Sequence, residues 1–152
     1  MRIYSILALF LLSFSVSAQD YFYKKYQPFN EEIPSPEDYL GYPIGYQHTR
    51  HDQIVSYLER LAELSDRATI TNYGKTHENR KLVILNISSS ANITNLVTIT
   101  QNHVTAVDRA LIVDISDLPI FVTLAHHVHR TVPSSSESAL LTAYTLVASN
   151  ND

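Results

Sequence analysis

Apolar side chains first recur at helical spacing at Ile54, Leu58, Leu61 and Ala62, with Val55 beside them, while Glu59, Arg60, Glu63 and Asp66 fall on the other side. That pattern predicts a surface helix with one buried face. Its start is marked by Thr49-Arg50-His51-Asp52, a hydroxyl followed three residues later by an acid, which resembles a capping box. The period then changes. Residues 68–73 alternate and are rich in β-branched types, residues 74–79 are polar and turn-like, and residues 81–87 form a dense Leu-Val-Ile-Leu run. Two strands joined as a hairpin are expected here. His77 and Glu78 lie in the connecting turn, where a polar pair is read as solvated surface.

Further on, Ile93, Leu96, Val97, Val104 and Val107 fit a helical stripe over 92–107, with Asn92 or Asn95 available to cap it. The many Thr, Val and Ile residues weaken that helix. Residues 111–118 read as a linker. Residues 119–125, Pro-Ile-Phe-Val-Thr-Leu-Ala, read as a buried strand opened by a proline at its edge. A last helix starts at a Ser134-x-x-Glu137 capping box and carries Leu140, Leu141, Tyr144 and Val147 on one face. The order helix, hairpin, helix, strand, helix predicts an α/β fold: a partial mixed sheet with flanking helices.

Ahead of these elements the pattern is different. Residues 19–47 hold Pro28, Pro34, Pro36 and Pro43 among many tyrosines, and the prolines are expected to break any helix. This arm should pack across a domain surface. Residues 1–18 read as an export signal: Arg2 gives a positive start, residues 3–14 are almost wholly apolar, and Val16-Ser17-Ala18 offers a cleavage site before Gln19. The expected organisation is thus a signal peptide over 1–18, an arm over 19–47 and a domain over 48–152. The mature protein is expected to be secreted or periplasmic, with no membrane attachment after cleavage.

Composition narrows the function classes. Of the 152 residues, 45% are hydrophobic and 17% charged, which fits a packed core. The net charge of −4 and the lack of a basic block argue against nucleic acid as a partner. With no cysteine, disulfides, thiolate catalysis and Cys-type zinc sites are excluded. Three glycines leave no phosphate-cradling loop. Ser134, Ser135 and Ser136 near histidines do not form a nucleophile elbow, since no Gly-x-Ser-x-Gly is present. Asn86-Ile87-Ser88 and Asn92-Ile93-Thr94 match the glycosylation sequon, which acts only in a host with that machinery.

The segment with chemical potential is Ala125-His126-His127-Val128-His129-Arg130-Thr131-Val132-Pro133-Ser134. It joins the expected strand to the last helix, and α/β sheets bind ligands at the carboxyl ends of strands. His127 and His129 stand two apart, so a strand would point both to one face, and His126 could add a third donor. Against that metal reading, the three histidines are also read as remnants of an ancestral loop.

The chain from residue 19 onward resembles the N-terminal part of an M14-family zinc carboxypeptidase. The likeness rests on the Tyr57-Leu58-Glu59 helix, the Gly74-Lys75-Thr76 turn before a hydrophobic strand, and the strand-loop-helix around His129. Family members carry His-x-x-Glu, commonly His-Gly-x-Glu-Pro, before a serine-rich helix start. Here the run is His129-Arg130-Thr131-Val132-Pro133. The resemblance implies that His129 is the first zinc ligand and that the substrate class is peptide or protein. It also implies an α/β zinc-peptidase domain, of which the chain covers the first part. A catalytic zinc needs three protein ligands and an open position for water. Valine at position 132 has no lone pair where the family has its ligand Glu, and Arg130 stands where glycine is common. Glu137 is assigned to the capping box and not to the metal. The family's later His ligand, general base and substrate arginines have no counterpart within residue 152. The expectation is an inactive N-terminal fragment with zinc weak or absent. The alternative is a non-catalytic secreted binding module or decayed relic.

Overall fold

A computed structural model describes residues 23–108, 116, 118–126, 132 and 134–151. The export segment 1–18, most of the linker 111–118, and His127 and His129 lie outside the described residues. Among the described residues no helix is long and apolar enough to cross a membrane.

The architecture is α/β, with helices flanking a two-stranded antiparallel sheet. The amphipathic stretch forms a helix over His51–Leu64, here α2, because a short α1 precedes it at Pro36–Leu40. Strand β1 (Ala68–Lys75) pairs with β2 (Lys81–Ile87), so the expected hairpin is present. Tyr73 interrupts the ladder as a bulge between Asn72 and Gly74. The turn is closed by Asn79, whose φ of 61° is left-handed, and by the Thr76 hydroxyl, which accepts from the Glu78 and Arg80 N–H groups. His77 and Glu78 are exposed there, as solvated turn residues should be.

After the hairpin come α3 (Ser90–Thr94), α4 (Leu96–Asp108) and α5 (Ser134–Ala148). The core lies where α2, α5, β1 and the arm meet. Tyr57 and Leu61 of α2, Ala68 of β1, and Leu140, Ala143, Tyr144, Val147 and Ala148 of α5 are buried together with Ile33 of the arm. The arm therefore does more than cross the surface. Phe29 bridges to Ser149, Asn30 N–H donates to the Ala148 carbonyl at 2.8 Å, and Asn150 N–H donates to the Pro28 carbonyl at 2.9 Å. The Phe29 and Tyr144 rings pack with centroids 4.9 Å apart.

Three expectations are corrected. Proline does not bar a helix from the arm: Pro36 takes the first turn of α1, where no N–H is needed, and the Ser35 hydroxyl caps it by accepting from Asp38 N–H at 3.1 Å. The stripe over 92–107 is two helices, not one. Ser89 caps α3, and the chain breaks at Asn95, whose side-chain amide donates to the Ala91 carbonyl at 2.9 Å. The strand expected over 119–125 does not form. Its composition suits a pleated surface, but a strand exists only where a neighbour completes the ladder. Among the described residues, 120–125 have no backbone hydrogen-bond partner, and Ile120 is 87% exposed.

The aromatic core makes stability sensitive to alkali. Burial pushes the phenols of Tyr23, Tyr57 and Tyr144 above their ordinary value, and neighbouring acidic or phenolic groups add to this. Unfolded tyrosines release their protons near pH 10, whereas these three hold theirs when folded. Their contribution is full below about pH 10 and is lost as pH rises beyond it. The expected result is a fraction of the ten tyrosines that ionises late, together with loss of helix. Absorbance at the phenolate band, read alongside circular dichroism, checks it. Ionisation of every tyrosine in one reversible step near pH 10, with helix retained, would refute it.

Candidate functional site

The segment singled out for chemistry meets the body at the first turns of α5. Val132 stands just before the helix, and its carbonyl accepts from Ser135 N–H at 3.2 Å. Its side chain is 42% exposed and offers no donor atom. Ser134 is the first helical residue and not the cap.

Glu137 is placed differently from the capping role. Its Oε1 accepts from Thr49 N–H at 2.9 Å, and its Oε2 accepts from the Thr49 hydroxyl at 3.0 Å. Thr49 is 1% exposed, and its Oγ1 also accepts from the Tyr42 hydroxyl at 3.2 Å. Charge-assisted bonds of this kind are roughly twice as strong as neutral ones. Thr49 therefore anchors α5 to the start of α2 and does not cap α2 by its hydroxyl. That cap falls to Arg50, whose N–H is met by Gln53 Oε1 at 3.1 Å, while its guanidinium pairs with Asp52 at 2.7 Å. The same guanidinium lowers the Asp52 carboxyl to about 2.

His126 approaches α5 from the far side of the segment. Its Nδ1 lies 3.3 Å from Ser138 Oγ, but that hydroxyl donates to the Ser135 carbonyl at 3.0 Å. A nucleophilic serine needs the imidazole to accept its proton, and here the Ser135 carbonyl competes for it. Among the described residues no three His, Cys, Asp or Glu side chains could jointly hold a metal. His127 and His129, the candidate ligand, lie outside that set.

Sequence reasoning missed the Thr49–Glu137 pair, which spans 88 residues. A signal for it exists. Glu137 stands three, four and seven residues before Leu140, Leu141 and Tyr144, which puts its carboxylate on the apolar face of α5. A charge on a face that packs inward demands a partner.

Comparison with protein-family models, curated proteins and solved structures finds no match for this chain.

Proposed function

We propose that this is an exported, non-catalytic protein with a zinc-carboxypeptidase-like segment that does not hold catalytic zinc. One observation carries the reading: position 132 is valine, with an exposed side chain and no donor atom, three residues after His129. The nearest carboxylate in sequence, Glu137, offers no substitute, because ligation there would compete with two bonds to a buried threonine. His126 is engaged by Ser138. Without a His-Glu pair, no Lewis acid is held to polarise a scissile carbonyl, and no metal-bound water is activated. Export is supported by Arg2, the apolar run over 3–14 and the Val16-Ser17-Ala18 site.

The test uses protein recovered from the exported fraction. Its N-terminus is expected at Gln19. Zinc titration by calorimetry should detect no submicromolar site in the parent chain, and none in Val132→Glu, since restoring one ligand does not complete a set of three. Submicromolar zinc binding by either protein, or release of a C-terminal residue from a peptide by the parent, would overturn the reading.

A further inference from the structure

An unexplained apolar surface lies on α4 and residues 118–124. Neither contains a buried residue of its own. They touch through His103, whose Nε2 meets the Pro119 carbonyl at 2.7 Å and whose ring stands edge-on to Phe121 at 4.9 Å. Phe121 turns toward α4. Ile120, Val122 and Leu124 are each more exposed than Phe121, and if the run paired as a strand they would share one face. Val97, Val104 and Val107 extend the apolar surface along α4 at helical spacing.

We infer that this face is a self-association surface, and that the strand-forming run over 120–124 pairs with the same run of a second copy. Three observations converge on that occupant. The first is area. Val97, Val104, Val107, Ile120, Phe121, Val122 and Leu124 leave on the order of 800 Å² in water, about what each partner contributes to a standard stable interface. A monomer's largest apolar patch is roughly 300–600 Å². The second is charge. Residues 88–107 and 118–126 contain no Asp, Glu, Lys or Arg, so two copies meet here without repulsion although the whole chain is acidic. The third is the backbone. Among the described residues, 120–125 have no backbone hydrogen-bond partner, and an antiparallel pair formed on a two-fold axis completes both copies at once.

The pairing has a defined register. With Val122 at the axis, Ile120 faces Leu124 of the second copy, and the two Val122 side chains oppose one another. Facing residues in an antiparallel ladder have Cβ atoms about 4.5–5.5 Å apart. A cysteine at the axis lies close to disulfide reach, and the chain has no other. This proposal stands whether or not the zinc reading holds.

The experiment is sedimentation equilibrium of the exported full chain, together with oxidative cross-linking of Val122→Cys. The expected result is a species of two chains, and a disulfide dimer for Val122→Cys but not for Ile84→Cys, an exposed position outside the face. Val122→Glu and Val104→Glu should each weaken association at least tenfold with an unchanged far-ultraviolet spectrum. A single-chain species throughout the micromolar range overturns the proposal. So does an open-ended aggregate, a dimer that neither glutamate variant weakens, or a wild-type dimer in which Val122→Cys does not cross-link. A single-chain species that binds a different protein at this face also overturns it.

Discussion

Tyr57→Ala is expected to cost about 3–5 kcal/mol of folding stability, the range for removing a large buried ring. Tyr57 is fully buried on α2 and sits among Ile33, Leu61 and Leu140. Tyr39 covers it with ring centroids 5.2 Å apart, and its hydroxyl donates to the Pro34 carbonyl at 3.0 Å. It thus joins the arm, α2 and α5. Tyr57→Phe keeps the ring and loses only that hydrogen bond, for an expected cost of about 1 kcal/mol. Urea unfolding of both variants separates packing from polar contact, provided the slope of the transition is unchanged. Equal losses for the two variants would mean that the hydroxyl, and not the ring, carries the effect.

The second large effect belongs to Glu137. Glu137→Ala leaves the N–H and hydroxyl of a buried threonine without their acceptors, which is expected to cost about 2–3 kcal/mol. Thr49→Ala removes the hydroxyl but leaves the backbone bond, and its cost should be nearer 1 kcal/mol. The pair is coupled, so the double variant should lose less than the sum of the two single losses. Strict additivity in that cycle would contradict the contact. Tyr42→Phe serves as a neighbour control, since it removes a donor to Thr49 while sparing the carboxylate.

These positions show which parts of the molecule local pattern can reveal. The α2 stripe from Ile54 to Ala62 and the Leu-Val-Ile-Leu run of β2 repeat with the period of their own element, so they were legible without neighbours. The Leu140, Leu141, Tyr144 and Val147 face of α5 was legible for the same reason. The run over 119–125 has an equally strong composition, yet a strand is a relation between two segments, and composition describes only one. Pro36 was misread because its effect depends on position: it disrupts a helix interior and suits a first turn. At the candidate site, the lack of a donor atom at Val132 could be read directly. For Glu137 the pattern shows only that a charge on an inward face needs a partner, and nothing local names Thr49, 88 positions away. The surroundings of His129 lie outside the described residues.

The arm's attachment to α5 also bears on how the chain acquires its structure. Ser149 Oγ donates to the Tyr26 carbonyl across 123 positions, and Arg67 donates to the Ser149 carbonyl across 82. Contacts this distant in sequence form only after a large loop has closed. Tyr23 and Phe29 also pack on Tyr144, made more than 100 residues later, so the arm leaves the ribosome long before Tyr144 and Val147 exist to cover it. Folding of the arm is thereby tied to the emergence of α5. A nascent chain stalled before α5 would hold a nearly formed hairpin and an unprotected set of tyrosines, and it would be a natural client for holding chaperones.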